Sequence, residues 1–290
     1  MSSTLARSVT VHPTAEVHPS AELGEGVEVG ALAYVGEGCV VGAGTRLLRG
    51  VVLQKFVEMG ESNVVGEYCV LGGDPQDRGY NDARPGRVVI GARNIFREHV
   101  TISRSTVKEG GEGRETRIGS ECMFMAGSHV GHNAWVEDSV VLANSAMLGG
   151  HVTVGARTMI SGACGVHQFV RIGEGVMFQG TAGMSQHVPP FLLVRHINEV
   201  AGLNVVGLRR AGVSAPEREQ VKAVFRAIYR DRPGARLEDR LSAAEAMAPT
   251  GAAERFVRFV RATVEDKPPH RRGIASLRST RGRSGDEVEA

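Results

Sequence analysis

The pattern that decides the fold runs through residues 118–184, which read IGSECMFMAGSHVGHNAWVEDSVVLANSAMLGGHVTVGARTMISGACGVHQFVRIGEGVMFQGTAGM. Every sixth residue from Ile118 to Met184 is large and apolar, and the phase never breaks. Because 42% of the chain is hydrophobic, twelve such positions in a row would arise by chance with a probability on the order of 10⁻⁵. A period of six fits neither an α-helix nor an ordinary strand, and it is typical of a hexapeptide solenoid.

An earlier run, from Val11 to Leu71, keeps the same six-residue period. Four residues after each large residue stands a mostly small one, such as Ala33 or Ala146. One large and one small inward position per hexad would fill a narrow triangular prism, in which three hexads make one coil. We therefore predict an all-β solenoid, a parallel β-helix of hexapeptide repeats. Every cysteine of the chain falls in the small column and is interpreted as a buried apolar residue; these are Cys39, Cys69, Cys122 and Cys164.

Two segments interrupt the repeat. Residues 72–89 and 106–117 contain the Gly, Pro or charged residues that are typical of loops. Loops of this length on a compact scaffold are usually functional or mobile. The β-helix is predicted to occupy residues 1–190 and to carry both loops.

The pattern changes after Pro190. Residues 191–264 are predicted to form a C-terminal helical subdomain that is irregular up to residue 213. Ser214 is the predicted N-cap of its first long helix, because Pro and Glu follow in the first turn. Residues 265–290, which are rich in Arg, Ser and Gly, are predicted to be a disordered basic tail.

Composition narrows the function classes. The formal net charge is only +2, so no general argument favours a nucleic-acid partner. No segment approaches ~18 consecutive apolar residues, and the N-terminal residues do not resemble a signal peptide. Four cysteines are too few for a disulfide framework in a chain of this length. A cytoplasmic location without a membrane span is therefore expected.

The histidines are the strongest candidates for chemistry. Residues 18 apart stack in such a helix, so the hexads that begin at Val130, Leu148 and Val166 share one face. That face gathers four of the ten histidines, which are His129, His132, His151 and His167. Imidazoles are the usual general bases, whereas a metal site and ordinary surface histidines are the competing interpretations. No Walker A loop, GxGxxG motif or zinc-type cysteine pairing is present.

The chain resembles the UDP-N-acetylglucosamine acyltransferases from about residue 11 to about residue 230. The resemblance rests on motifs that occur in the family's order and spacing; these are VHPTA, GGDPQDRGY, IGARNIFREHVTISRST, HVGHN, VLANSAMLGGHVTVG, GVHQFVRIG, MFQGTAGMSQHVPPF and GLNVVGLRRAG. It implies a left-handed β-helix that assembles as a homotrimer. The implied reaction moves a 3-hydroxyacyl chain from acyl carrier protein to the 3-hydroxyl of UDP-N-acetylglucosamine, the first step of lipid A synthesis. No cofactor and no metal are expected.

The resemblance also implies roles for individual residues. His132 would be the general base, and the backbone amide of Gly150 would stabilise the oxyanion. Gly180 would gauge the acyl length, and a glycine there favours a longer chain. The implied substrate-binding residues are Asp77, His129, His151, His167, Gln168, Gly180, Asn204 and Arg210.

Several family positions carry other residues here. Asn133 replaces the aspartate that usually follows the catalytic histidine, and an amide can orient an imidazole but carries no charge. Gly79, Val206 and Ala211 replace residues that the family uses near the sugar nucleotide. Two alternatives therefore stay open. One is a paralogue that acylates another sugar nucleotide, such as an amino-sugar nucleotide, and the other is a non-catalytic binding protein.

Overall fold

The computed structural model describes residues 8–83, 85–107 and 115–277. Within those ranges the chain forms 29 short strands and four helices. The strands are, in chain order, β1 (Thr10–Val11), β2 (Glu16–Val17), β3 (Glu22–Leu23), β4 (Glu28–Val29), β5 (Tyr34–Val35), β6 (Val40–Val41), β7 (Arg46–Leu47), β8 (Val52–Leu53), β9 (Val57–Met59), β10 (Val64–Val65), β11 (Val70–Gly73), β12 (Arg87–Ile90), β13 (Ile95–Phe96), β14 (Thr101–Ser103), β15 (Glu115–Ile118), β16 (Met123–Phe124), β17 (His129–Val130), β18 (Trp135–Val136), β19 (Val141–Leu142), β20 (Met147–Leu148), β21 (Thr153–Val154), β22 (Met159–Ile160), β23 (Gly165–Val166), β24 (Arg171–Ile172), β25 (Met177–Phe178), β26 (Gly183–Met184), β27 (Leu192–Arg195), β28 (Glu199–Leu203) and β29 (Ser276–Leu277).

The described strands build three sheets. The first sheet has the order β1-β4-β7-β10-β13-β16-β19-β22-β25-β27-β28-β29, the second β2-β5-β8-β11-β14-β17-β20-β23-β26, and the third β24-β21-β18-β15-β12-β9-β6-β3. Each coil of the chain gives one strand to each sheet in turn. Val130 pairs with Leu148, which pairs with Val166, so the predicted stacking of residues 18 apart is confirmed. The fold is the predicted left-handed parallel β-helix with a C-terminal helical region.

The two predicted columns fill the interior of the β-helix. Val130, Leu148 and Val166 are at most 4% exposed, and burying such a side chain contributes ~1.5–3 kcal/mol to stability. The four cysteines are buried and form no disulfides. Burial raises the pKa of Cys69 to about 12 and that of Cys122 to about 11. The thiols therefore remain protonated in the core, as predicted for small buried residues.

The turns between strands share one backbone pattern. Three turn residues follow each inward aliphatic residue, and the third has a positive φ, as at Asn133 (58°), His151 (59°) and Phe169 (64°). This left-handed region is unfavourable for most side chains, and hydrogen bonds between coils hold it here. The His151 N–H donates to the His132 carbonyl at 2.9 Å, and the Phe169 N–H donates to the Gly150 carbonyl at 3.0 Å. Turns of successive coils consequently stack in register.

A buried arginine anchors the first loop, between β11 and β12. Arg104 is 1% exposed. Its guanidinium donates to the Gly72 carbonyl at 3.0 Å, to the Tyr80 hydroxyl at 2.6 Å and to the Asp74 carboxylate. A buried charge requires such partners, so these bonds hold the loop against the second sheet.

The helices of the described residues are α1 (Val205–Arg210), α2 (Ala215–Tyr229), α3 (Leu237–Glu245) and α4 (Gly251–Val264). The N-cap predicted for α2 is confirmed. The Ser214 hydroxyl accepts from the Glu217 N–H while the Glu217 carboxylate accepts from the Ser214 N–H, which together form a capping box. Val221, Phe225 and Ile228 form the buried stripe of this helix. None of the helices in the described ranges is both long enough and apolar enough to span a membrane.

The structure corrects the predicted loop ends and the predicted irregular segment. The last residues of each predicted loop belong to strands β12 and β15, which pair with each other over four residues. Their extra inward residues, Val88 and Thr116, are fully buried and lie outside the six-residue phase. The irregular segment predicted before residue 213 contains β27 and β28, which pair antiparallel.

The predicted disordered tail is wrong for residues 265–277. This segment runs back along the β-helix and ends in β29, which pairs with β28. Asp266 accepts two hydrogen bonds from the Arg171 guanidinium, at 2.7 and 2.6 Å. The His270 carbonyl accepts from Nε2 of the buried His187 at 2.7 Å. The polar residues whose abundance suggested disorder instead form ion pairs and hydrogen bonds with the β-helix. Residues 278–290 lie outside the described residues.

Candidate functional site

A cleft of about 640 Å³ opens on the outer face of the second sheet. Its floor is one outward column of that sheet, in which His129, Met147, Gly165 and Gly183 stack on successive strands. A Cβ added to Gly165 would meet no atom within 4 Å. The two glycines therefore leave roughly 10 Å of bare backbone above Met147, which forms a groove along the sheet. The lining residues are Gln76, Ser103, His129, Gly131, His132, Met147, Leu148, Gly149, Gly150, Gly165, Val166, His167, Gln168, Gly183, Met184, Ser185 and Ile197.

One edge of the cleft is formed by three stacked turns between the second and third sheets. We call these turns, residues 131–133, 149–151 and 167–169, the histidine corner. The rings of His132 and His151 lie 5.2 Å apart, edge to face. The His151 ring stacks on Phe169 at 4.6 Å. The predicted gathering of these histidines on one edge is therefore present.

His132 occupies the second position of its turn and is half-buried. Its Nδ1 lies 2.8 Å from the Asn133 Oδ1. An amide oxygen can only accept, so Nδ1 must carry the proton and Nε2 the lone pair. Nε2 lies against Gly150, where an added Cβ would be only 2.5 Å away. The basic nitrogen of His132 is thus held at the edge of the cleft beside a residue without a side chain.

Gly150 stands one coil above His132, at the same position of its turn. Among the described residues, its backbone N–H donates to no acceptor. A preformed N–H without a partner, next to the basic nitrogen of an imidazole, is the kind of donor that can stabilise an oxyanion. Any side chain at this position would displace the imidazole of His132.

His129 lies below Met147 on the floor of the cleft. Its Nδ1 is 2.7 Å from the Thr101 Oγ1. Burial, assisted by the nearby His132, lowers the pKa of His129. His129 is therefore neutral at neutral pH and serves as a hydrogen-bonding group.

The third coil brings His167 and Gln168 to the cleft, and both are exposed. The His167 N–H donates to the Met184 carbonyl at 2.8 Å, which fixes its backbone, and its ring Nδ1 lies 3.3 Å from the Gln168 carbonyl. Gln168 offers a donor and an acceptor to a ligand.

The first loop reaches the cleft through Gln76. Its neighbour Asp77 is exposed and accepts a hydrogen bond from the Gly79 N–H at 2.8 Å. The Arg104 contacts described above hold this loop in place. Asp77 thus lies beside the cleft lining without belonging to it.

The structure does not bring every predicted residue into this cleft. His151 packs behind His132 in the histidine corner. Gly180 lies on the opposite edge of the second sheet, where an added Cβ would be 3.6 Å from the Gly162 carbonyl. A side chain would therefore fit there without a clash.

Asn204 and Arg210 lie at the ends of α1, away from the cleft. Asn204 is the N-cap of α1, where its Oδ1 accepts from the Gly207 N–H and its Nδ2 donates to the Gly175 carbonyl, at 2.8 and 2.9 Å. Gly175 belongs to a turn between the third and first sheets, so this contact is across the prism from the cleft. Arg210 is exposed in the last turn of α1.

Several lining residues were not predicted from the sequence. Gln76 lies in a loop, and Ile197, which is 78% exposed, lies in a turn beyond the repeat. Met147 and the two floor glycines do have a sequence signal, because they are the outward neighbours of the aliphatic column at 18-residue spacing. Among the described residues, no group of three or more His, Cys, Asp or Glu side chains is placed to hold a metal ion.

The parts of this cleft suit a transfer reaction. A lone-pair nitrogen, a free backbone N–H and an apolar groove meet within one coil step. The first could take a proton, the second could stabilise a developing negative charge, and the third could hold a hydrocarbon chain. Fold and site together define a hexapeptide-repeat β-helix with a cluster of histidines on one corner, beside an apolar groove.

Comparisons with known proteins agree with this description. The family model described as UDP-N-acetylglucosamine O-acyltransferase, domain 2, matches residues 187–275. An acyl-[acyl-carrier-protein]–UDP-N-acetylglucosamine O-acyltransferase of Gloeothece citriformis is 43% identical over 181 residues, which are 62% of this chain and 64% of that relative. The protein with the same description from Anaeromyxobacter is 41% identical over 211 residues, which are 71% of this chain and 78% of that relative.

A solved structure extends the match over nearly the whole chain. The UDP-N-acetylglucosamine acyltransferase of Francisella novicida superimposes with a TM-score of 0.83 and 30% identity, and the match covers 96% of this chain and 98% of that one. The chain therefore belongs to the UDP-N-acetylglucosamine O-acyltransferase family, which confirms the resemblance read from its motifs.

Proposed function

We propose that the protein is an acyltransferase that moves a 3-hydroxyacyl chain from acyl carrier protein to the 3-hydroxyl of UDP-N-acetylglucosamine, the first step of lipid A biosynthesis. The observation that carries the proposal is the placement of His132. One of its ring nitrogens is bound by Asn133, and the other faces Gly150 beside an apolar groove. Membership of the family supports the same activity.

The proposed reaction begins when Nε2 of His132 removes the proton of the sugar hydroxyl. The oxygen attacks the thioester carbon, a C–O bond forms, and the carbonyl electron pair moves onto oxygen. The Gly150 N–H stabilises this oxyanion. The C–S bond then breaks as the oxyanion collapses, and the imidazolium returns its proton to the leaving thiolate. The reaction uses no cofactor and no metal.

The remaining candidate residues receive binding roles in this proposal. The groove above Met147, with its two floor glycines, would hold the first part of the acyl chain. His129, His151, His167 and Gln168 would line or support the sugar and acyl region, Asp77 would hold the sugar, and Gly180 would gauge the chain length. Gly165 and Gly183 have no side chains that would narrow the floor of the groove.

We further propose that the protein acts as a homotrimer in the cytoplasm. The cleft is a groove on one face of a prism, and a second prism would supply the opposite wall. Asn204 and Arg210 lie across the prism from His132, so they would reach the nucleotide only from a neighbouring subunit. The four unpaired cysteines suit a reducing compartment.

An amino-sugar nucleotide is the second candidate for the acyl acceptor. Gly79, Val206 and Ala211 lack the functional groups that the family uses near the sugar nucleotide, and Val206 is 57% exposed. An amino-sugar nucleotide would present an amine to the same base. This change would leave the acyl half of the site as it is.

The test is acyl transfer by the purified protein. The donors are 3-hydroxyacyl carrier proteins of graded chain length, and the acceptors are UDP-N-acetylglucosamine and its 3-amino analogue. The proposal expects an ester product with the first acceptor. Product with the amino analogue alone would replace the acceptor, and no product with either from a folded protein would favour a binding function.

A further inference from the structure

The amide of Asn133 is held by three hydrogen bonds to Thr106, two of them to its backbone. The Asn133 Nδ2 donates to the Thr106 carbonyl at 3.0 Å. The Asn133 Oδ1 accepts from the Thr106 N–H at 3.0 Å and from its hydroxyl at 2.9 Å. The backbone N–H of Asn133 donates to the Thr116 Oγ1 at 2.8 Å, and Thr116 is fully buried. Both the backbone and the side chain of Asn133 are thus fixed from the coil below.

Only one orientation of the Asn133 amide fits this clamp. A reversed amide would place its NH₂ against the Thr106 N–H and its oxygen against the Thr106 carbonyl, so both hydrogen bonds would become repulsive contacts. Oδ1 is therefore the atom that also faces Nδ1 of His132, at 2.8 Å. Because main-chain groups cannot change their donor and acceptor roles, the orientation does not depend on pH.

An acceptor in this position selects the tautomer of the imidazole. Nδ1 must donate, so the lone pair lies on Nε2, which is the nitrogen beside Gly150. The opposite tautomer would set two lone pairs against each other at 2.8 Å and would place a proton on the nitrogen that has to accept one.

We propose that Thr106 is a positioning residue for the general base: its backbone carbonyl and N–H orient the Asn133 amide, which holds His132 as the tautomer with a free Nε2. The proposal rests on the proposed role of His132. It also explains why an amide suits this position. The Thr106 carbonyl needs a donor, and an ionised aspartate has none.

Two variants of Asn133 test this directly. Asn133→Gly removes the clamp but keeps the positive φ of this position (58°), which glycine adopts freely. Asn133→Asp keeps an acceptor for Nδ1 but sets a carboxylate oxygen against the Thr106 carbonyl. Ser139→Gly is the matched control, because Ser139 has the same turn position and a φ of 57°.

The first readout is the ¹⁵N spectrum of His132 in the protein without substrate. The wild type is expected to show one neutral tautomer with the proton on Nδ1, Asn133→Gly a mixture of both, and Ser139→Gly the wild-type spectrum. A wild-type proton on Nε2, or an unchanged tautomer in Asn133→Gly, would overturn the proposal. This readout needs no acyl transfer, so it separates failure of the inference from failure of the proposed function.

The second readout is the pH profile of kcat/KM. In Asn133→Gly, kcat is expected to fall about 10- to 100-fold with little change in KM, because substrate contacts remain. In Asn133→Asp, the added charge is expected to move the acidic limb of the profile to higher pH and the lost bond to Thr106 to lower the thermal midpoint. Among the residues that the structure describes, the other titratable groups near His132 are His129 and His151, and neither variant changes them. A higher thermal midpoint in Asn133→Asp than in the wild type would contradict the role of the Thr106 carbonyl.

Discussion

Two corners of the β-helix have turns of the same backbone conformation, but they use the N–H group at the second turn position differently. In the turns between the third and first sheets, three N–H groups at the second turn position are capped by side chains of adjacent coils. The N–H of Ala92 donates to the Ser120 hydroxyl at 3.1 Å, that of Ser120 to the Asp138 carboxylate at 2.7 Å, and that of Ala156 to the Glu137 carboxylate at 2.9 Å. We call this edge the capped corner.

The histidine corner has no such caps. At the same turn position stand His132, Gly150 and Gln168, and among the described residues their backbone N–H groups donate to no acceptor. The second turn position therefore offers an N–H donor in each of these coils, and at Ala92, Ser120 and Ala156 the capped corner uses it for hydrogen bonds between coils. The histidine corner leaves the donor open and places imidazoles beside it. The two corners thus have the same backbone turn and differ only in the side chains that surround its N–H donor.

The largest effect short of removing the base is expected from Gly150→Ala. The added Cβ would lie 2.5 Å from Nε2 of His132, so the imidazole must move away from its position beside the N–H donor. We expect kcat/KM to fall about 100-fold, since displacements of about 1 Å have effects of this size. Steady-state acyl transfer measures it. The control is Gly162→Ala, where the Cβ would be 3.5 Å from the nearest atom, the Asn144 carbonyl oxygen. Equal losses in both variants would mean that the loss in Gly150→Ala does not come from displacement of the His132 imidazole.

A smaller effect is expected on the far edge of the second sheet. Gly180→Met has room for its side chain and is expected to shift the preference between acyl chains toward shorter ones, by about 10-fold in relative kcat/KM. Competition between carrier proteins with different acyl chains measures this ratio. Gln179→Met places the same side chain one residue away and should leave the ratio unchanged. An unaltered preference in Gly180→Met would remove Gly180 from the site.

We expect the folded protein to become less stable at acidic pH, because His129 and His187 are buried. Burial lowers the pKa of His129 and of His187 from the ordinary 6.5. These residues stay neutral when folded while the unfolded chain takes up protons, so their contribution to stability is complete above about pH 6.5 and is lost as the pH falls below it. His187 also loses its bond from the Arg171 N–H (2.9 Å) when it is protonated.

Unfolding midpoints measured from pH 8 to pH 5 test this expectation. The wild type should lose stability toward pH 5, and His187→Gln should start lower at pH 8 but fall less steeply. The exposed His167 provides the control, and His167→Gln should follow the wild-type slope. A slope that is the same in all three proteins would show that His187 does not contribute to the pH dependence.

Most of the fold was predictable from the sequence because the residues that repeat every six positions are the ones that fill the core. Ile118 and Val130 face inward for the same reason, and their spacing sets the coil. The histidine cluster followed from arithmetic, since residues 18 apart stack. The predictions failed where packing is not periodic. The segment 265–277 is ordered by long-range partners such as Arg171, which no local pattern reveals.

The site was only partly predictable for the same reason. His132, Gly150 and Gln168 lie within the repeat, so their positions follow from the coil. Gln76 reaches the cleft because Arg104 holds its loop, and that contact joins segments that are distant in the chain. The role of Thr106 depends on the direction of one amide, which only the geometry can define.

The central claim is that the histidine corner performs acyl transfer while the capped corner only holds the coils together. The measurement is kcat/KM for acyl transfer, together with the free energy of unfolding, in His132→Ala and Asp138→Ala. We expect His132→Ala to lose about 10²- to 10⁴-fold in activity at nearly unchanged stability. We expect Asp138→Ala to keep its activity and to lose about 0.5–1.5 kcal/mol of stability. Full activity in His132→Ala would rule out the histidine corner as the site of acyl transfer.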